Sequence, residues 1–163
     1  RGKGGSGMSD SLERVRAALD AAGVAAEIRE MPGSTRTAPD AADAVGCALD
    51  QIAKSIIFHG TDSDSVLLFL TAGGNRVDPA KAAALAGEAL GRADAALVRA
   101  RTGFAIGGVA PVGHLSPVRA FWDPRLADFA QVWAAAGTPR HVFAIAPDRL
   151  LALTGARTGD FVA

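Results

Sequence analysis

The sequence is poor in cysteine and has neither an excess of charge of one sign nor a long apolar run. Cys47 is the single cysteine among 163 residues, which excludes a disulfide framework and a zinc site built from several cysteines. His59, His114 and His141 are too widely spaced to form a metal-ligand motif. No apolar stretch approaches the roughly 20 residues that a membrane-spanning helix needs. We therefore expect a cytoplasmic protein with no metal site and no membrane partner.

The balance of charge argues against a long nucleic-acid interface. Residues 1–7 precede Met8 and are interpreted as a leader left over from expression. Arg1 and Lys3 belong to this leader, so residues 8–163 contain 15 of the 17 basic residues and all 17 acidic residues, a net charge of −2. A protein that binds a long stretch of nucleic acid usually has a basic excess. We expect residues 8–163 to form a single domain that makes, at most, a small local contact with nucleic acid and has no DNA partner.

What the sequence does contain is a mixed series of short helices and strands. Capping residues and apolar periodicity predict helices from Ser9 or Ser11 to Ala22, after Thr37, over 79–86 and after Pro147. Apolar runs between turn residues predict strands at 24–31, 52–58, 66–71, 95–100, 118–122 and 141–146. The order lacks strict βαβ alternation. The predicted fold class is therefore α/β or α+β, with a mixed, partly closed, barrel-like β-sheet and flanking helices.

A glycine-rich segment over residues 102–114 is the most informative stretch of the chain. It holds four glycines and one proline without the polarity of an ordinary loop. Glycine allows another molecule to approach the backbone closely, so Gly107 and Gly108 are candidates for presenting N–H groups to a ligand. The alternative is a tight turn between two buried strands. Neither a Walker loop nor the dinucleotide fingerprint is present, which argues against nucleoside triphosphate or NAD as a cofactor.

Two further residues are candidates for the site, and each has a structural alternative. Lys54 interrupts a strongly apolar run, so its amine either points into a cleft or reaches water at a strand edge. His114 follows the glycine-rich segment and either contacts a ligand or closes the turn. Cys47 and Ser116 lack the neighbours that a nucleophile requires, and we interpret Cys47 as a small packing residue.

Three separated parts of the sequence together resemble one protein family. They are residues 41–46 with 51–58, the glycine-rich segment 102–114, and residues 136–139 with 141–150. In this combination and order they are similar to the YbaK/EbsC family, also called the prolyl-tRNA-synthetase-associated editing domain. The match covers nearly all of residues 8–157, and the joint occurrence is far more specific than any single motif.

The resemblance implies a free-standing aminoacyl-tRNA deacylase that needs no cofactor or metal. Its substrate would be the 3′ end of a mischarged tRNA, with tRNA-Pro a candidate, and a synthetase could be a partner. The family's lysine matches Lys54 and its functional glycine matches Gly107. The backbone of Gly108 would also take part in catalysis. Substrate-binding positions would be Ala110, Pro111, Gly113, His114, Ala135 and Gly137.

The sequence departs from its relatives at two of these positions. Ala110 stands where many members have serine, and Ala135 stands where some place a serine near the substrate. Both changes remove a hydroxyl, so the preferred amino acid cannot be transferred from the relatives. The missing groups also leave a second interpretation open, a non-catalytic module that binds an aminoacyl or nucleotide group or docks on a synthetase. A serine or cysteine hydrolase of small esters is poorly supported.

Overall fold

The computed structural model describes residues 7–163. The expected leader lies outside the described residues except for Gly7, as does the side chain of Ser9. Helix α1 already spans Gly7–Ala21, so Ser11 lies within the helix and does not precede it. Val15 and Leu19 lie one turn apart on this helix, and both are buried in the main core.

Three further helices begin and end where local signals predicted. Helix α2 starts after Thr37, whose side-chain oxygen accepts a hydrogen bond from the N–H of Asp40. Helix α3 starts after Asp78, which caps it in the same way. Each helix ends at a glycine. The bounds are Ala38–Val45 for α2, Pro79–Ala86 for α3 and Pro147–Thr154 for α5. None of the helices within residues 7–163 is long and apolar enough to cross a membrane.

The strand predicted at 95–100 is wrong, because this segment is helix α4, Ala95–Thr102. Asp94 provides the capping signal that the sequence reading missed, since its carboxylate accepts a hydrogen bond from the N–H of Leu97 at 2.8 Å. Val98 is the only apolar side chain of this helix that is fully buried. The alanines around it favour the helix over a strand.

Within residues 7–163, eight strands form two sheets. The larger sheet has the order β4-β2-β3-β5-β8 and the smaller has the order β1-β7-β6. In the larger sheet β3 and β5 pair in parallel, as do β5 and β8, whereas the remaining pairs are antiparallel. The bounds are β1 Ile28–Glu30, β2 Ala53–Gly60, β3 Ser65–Ala72, β4 Leu90–Arg92, β5 Arg119–Trp122, β6 Val132–Ala135, β7 His141–Ile145 and β8 Arg157–Thr158.

The expected mixed α/β fold with flanking helices is confirmed. The predicted strands at 52–58 and 66–71 are present as β2 and β3, which pair as an antiparallel hairpin. The strands do not close into one sheet. A single parallel bridge between Ile52 and Trp133 joins the start of β2 to β6. A second isolated bridge pairs Val77 with Val162 near the end of the chain. The first bridge matters most here, because the main cavity lies beside it.

Candidate functional site

A cavity of about 500 Å³ lies at the junction of the two sheets. We call it the seam cavity. One wall is apolar and belongs to a small core in which α2 packs against Ile52, Trp133 and Val142. The polar side chains that line it are those of Thr35, Arg36, Thr37, Lys54 and Ser55. No carboxylate is among the lining residues, so the cavity carries two cations and favours an anionic or strongly polar ligand.

Lys54 lies on β2 opposite Thr71 and directs its amine toward the loop that follows β3. The amine donates a hydrogen bond to the backbone oxygen of Asn75 at 2.6 Å. Burial lowers the pKa of Lys54, the nearby charge of Arg76 acts in the same direction, and Asp123 and Asp50 oppose it. An ammonium group has three donors, so one bond to Asn75 holds the amine in place and leaves two donors for a ligand.

The loop that holds Lys54 is itself anchored by a buried carboxylate. Asp123 is 2% exposed, and its Oδ2 accepts hydrogen bonds from the N–H of Ala72 at 3.0 Å and from the side-chain amide of Asn75 at 2.8 Å. A charge-assisted bond of this kind is roughly twice as strong as a neutral one. In the sequence, Asp123 followed by Pro124 indicates only the start of a turn or helix. Its contact with Asn75 joins residues 48 positions apart, and no local pattern could have indicated it.

The first part of the glycine-rich segment forms a β-turn at the edge of the cavity. The N–H of Gly108 donates to the oxygen of Ala105 at 2.9 Å, and Gly107 in the third position has a φ of 91°. A type II turn requires such a positive φ at this position. The turn already uses the N–H of Gly108, which we proposed from the sequence as a donor to a ligand. Within residues 7–163 the N–H of Gly107 has no partner.

The space beside both glycines is filled by the protein. A Cβ atom built on Gly107 would lie 2.8 Å from Cγ of Arg36. One built on Gly108 would lie 2.7 Å from the carbonyl carbon of Thr138 and 2.9 Å from the nitrogen of Pro139. All three distances are shorter than a real Cβ atom shows. Gly108 is therefore required for packing against the backbone, whereas the close neighbour of Gly107 is a side chain that can move.

The second part of the segment lies away from the cavity. Ala110, Pro111, Gly113 and His114 were predicted to bind substrate, but none of them lines the seam cavity. Ala110 is fully buried, and its oxygen accepts a hydrogen bond from Nε2 of His114 at 2.8 Å. The oxygen of Gly113 accepts one from Nε of Arg14 at 3.1 Å, which ties this part of the segment to α1.

Burial lowers the pKa of His114, with a small contribution from Arg14 in the same direction, against the hydrogen bond to Ala110. The neutral imidazole is therefore the form that the folded protein favours. Of the two remaining predicted positions, Ala135 lines the cavity, whereas Gly137 packs against the backbone of Ser11 on α1.

Comparison with known proteins agrees with this geometry. The sequence profile of the aminoacyl-tRNA editing domain matches residues 33–153, which contain every residue named as lining the cavity. The chain belongs to the aminoacyl-tRNA editing-domain family. The resemblance drawn from the three sequence segments is thus confirmed at the level of this family.

Individual relatives extend over most of this editing domain. The uncharacterized protein YwhH of Bacillus subtilis is 31% identical over 124 residues, which cover 76% of this chain and 78% of YwhH. A crystal structure of a candidate trans-editing enzyme for prolyl tRNA synthetase is 47% identical, with a TM-score of 0.88, and the match covers 94% of this chain and 97% of that one. Hypothetical protein APE2540 is 26% identical with a TM-score of 0.85, covering 92% and 99%.

The other titratable residues considered from the sequence lie outside the cavity of this editing domain. Cys47 donates to the oxygen of Ala48 at 3.3 Å, and burial raises the pKa of its thiol, which is the opposite of an activated nucleophile. His59 pairs with Asp64 at 2.7 Å. His141 is hydrogen-bonded to the hydroxyl of Thr138, also away from the lining residues.

Sequence reasoning assigned none of four polar residues to the editing domain's cavity, namely Thr35, Arg36, Thr37 and Ser55. Arg36 lies in a polar loop directly before the cap of α2, where an exposed arginine carries no local signal. Ser55 follows Lys54 on β2, and its buried hydroxyl has no hydrogen-bond partner within the described part of the chain. An unsatisfied hydroxyl in a cavity wall is a group that a ligand or a water molecule can satisfy.

Proposed function

We propose that this protein is a free-standing deacylase that hydrolyses the ester of mischarged tRNA in the cytoplasm. The observation that carries the proposal is that Lys54 and the Gly107 turn line the same cavity, free of carboxylates, in a member of the editing-domain family. The substrate is the 3′ end of an aminoacyl-tRNA carrying a small amino acid. The 47% identical trans-editing relative makes tRNA-Pro the first tRNA to test. A contact limited to the tRNA end agrees with the absence of a basic excess.

Hydrolysis of the ester requires stabilisation of negative charge on the carbonyl oxygen. Water adds to the carbonyl carbon, the bond to the ribose oxygen breaks, and a proton passes to that oxygen to give a free amino acid and a free tRNA end. The ammonium of Lys54 and the unpartnered N–H of Gly107 are the donors that can face the developing oxyanion. One such donor contributes about 3 kcal/mol to transition-state stabilisation.

The cavity lining offers no side chain that can activate the attacking water, so the substrate itself has this role. No aspartate, glutamate or histidine is among the lining residues, so no side chain there is a conventional general base. The neighbouring ribose hydroxyl is the group that positions the water. The apolar wall around Val45, Trp133 and Ala135 contacts the amino-acid side chain and excludes larger groups. Such a wall discriminates by only about 1–3 kcal/mol per methylene, so selection rests mainly on exclusion by size.

The decisive experiment is deacylation of a panel of mischarged tRNAs, with tRNA-Pro first. We expect Lys54→Ala to lower kcat/KM by about 100-fold, as the loss of one oxyanion donor does. Lys81→Ala is the matched control, because Lys81 is an exposed lysine paired with Asp160 outside the cavity. Full activity of Lys54→Ala would reject the role given to this side chain.

The same absence of a side-chain base favours one alternative, a module that binds the aminoacyl end without cleaving it or docks on a synthetase. Tight binding of an uncleavable aminoacyl-adenosine analogue, combined with no turnover on any tRNA of the panel, would support this alternative. If the intact protein deacylates one tRNA of the panel and Lys54→Ala does not, the non-catalytic alternative is rejected.

A further inference from the structure

We infer that Arg36 binds the 5′-phosphate of the terminal nucleotide of the substrate at the mouth of the seam cavity. The inference rests on the proposed function and adds to it the residue that recognises the nucleotide's charge. It assigns the two cations of the cavity to opposite ends of the ligand, with Lys54 at the ester and Arg36 at the phosphate.

Arg36 lines the cavity and is exposed, whereas Lys54 is half-buried. Some arginines of the fold are paired with carboxylates, as Arg119 is with Glu88 and Arg125 with Asp50. Within residues 7–163 the guanidinium of Arg36 has neither a carboxylate nor a carbonyl partner. Its five N–H donors are therefore available to a ligand.

The stem of Arg36 is held although its head is free. Its methylene groups pack over Gly107, where Cγ lies 2.8 Å from the position that a Cβ atom would take. The backbone is fixed on both sides. Thr35 donates from its N–H and from its hydroxyl to the oxygen of Pro139 at 2.7 and 2.9 Å, and Thr37 caps α2. A side chain held in this way loses less conformational freedom when it binds a ligand.

The position of the free guanidinium of Arg36 indicates which group of the ligand it binds. Because Asn75 holds the amine of Lys54, the ester end of the substrate belongs beside β2. The anionic group nearest to an ester on the ribose is the 5′-phosphate of the same nucleotide. A planar guanidinium matches the oxygens of a phosphate in a bidentate arrangement, which an ammonium cannot reproduce. Gly107 therefore serves the site in two ways, by offering its N–H and by making room for the stem of Arg36.

The test compares two uncleavable ligands that differ only in the phosphate, 3′-alanylamino-3′-deoxyadenosine and its 5′-monophosphate. We expect the intact protein to bind the monophosphate about tenfold more tightly. Arg36→Gln is expected to reduce this advantage to less than about twofold while leaving the Kd of the phosphate-free ligand unchanged. Arg36→Lys should retain part of the advantage. Arg149→Gln is the control, since Arg149 is exposed on α5 and does not line the cavity.

The outcomes separate this inference from the proposed function. Equal weakening of both ligands by Arg36→Gln would mean a structural role through Gly107 and would overturn the inference, as would the absence of a phosphate advantage in the intact protein. A phosphate advantage that depends on Arg36, without turnover of any aminoacyl-tRNA, would support the inference and reject the deacylase. If the intact protein binds neither ligand, both are overturned.

Discussion

Residues 105–108 and residues 110–114 belong to one glycine-rich stretch, but they differ in what they contact. The first group forms a turn beside the seam cavity, with Arg36 packed on Gly107. The second group is buried and bonded to α1 through Arg14 and to itself through His114. This difference shows that a run of glycines indicates close packing against the backbone. Whether a glycine also lies near a ligand depends on where the fold places it.

The largest effect in this comparison is expected from Gly108→Ala. The new methyl group would collide with the backbone at Thr138 and Pro139, which cannot move as a flexible side chain can. We expect a loss of about 3 kcal/mol in the free energy of unfolding, measured with urea. Gly33→Ala is the matched control, because nothing lies within 4 Å of the added Cβ atom, and it should change stability by less than about 0.5 kcal/mol. Equal stability of the two variants would contradict the packing explanation.

Gly107→Ala should lower the free energy of unfolding less than Gly108→Ala does, and it should weaken ligand binding more. The positive φ of 91° costs an alanine about 1 kcal/mol, and the methyl group meets only the side chain of Arg36, which can swing away. We therefore expect modest destabilisation in urea together with loss of the tighter binding of the monophosphate ligand. A variant that keeps the full phosphate advantage would show that the stem of Arg36 does not depend on Gly107.

The smallest effect concerns His114 in the buried half. Burial lowers its pKa below the value of about 6.5 that the unfolded chain has, so the unfolded state binds more protons as the pH falls. The contribution of His114 to stability is complete above that value and is lost as the pH falls toward the folded pKa. We expect the urea midpoint of the intact protein to decrease over this range, and His114→Gln to make the decrease smaller. Identical pH profiles would exclude His114 as the cause.

Much of the fold was predictable because its signals are local. Thr37 and Asp78 cap helices whose glycine ends are also visible in the sequence, and the β2–β3 hairpin follows from two apolar runs around a polar turn. The strands β4, β6 and β8 were missed. They contain two to four residues each, and β4 and β8 pair with strands that lie far away in the sequence, β2 and β5 respectively. Short segments of this kind carry too little periodicity to be recognised alone.

The candidate site was predictable only in part, for the same reason. Lys54 was visible because a charge interrupts an apolar run, and it does line the cavity. Arg36 was not visible in the sequence, since its side chain is positioned by a contact with Gly107, 71 positions further along the chain. Ala110 and His114 were assigned to the substrate from the family resemblance and from their place in the glycine-rich segment. Neither lines the cavity, because Ala110 is fully buried and His114 is hydrogen-bonded to the oxygen of Ala110.

The backbone beside the isolated bridge of Val77 and Val162 is connected through hydrogen bonds to the amine of Lys54. The oxygen of Asn75 accepts from Lys54, and the oxygen of the next residue, Arg76, accepts from the N–H of Ala163 at 2.9 Å. Two successive peptide groups thus couple the amine to the backbone of Val162 and Ala163. A change that displaces the backbone at these residues would therefore also act on Lys54, although it lies far away in the sequence.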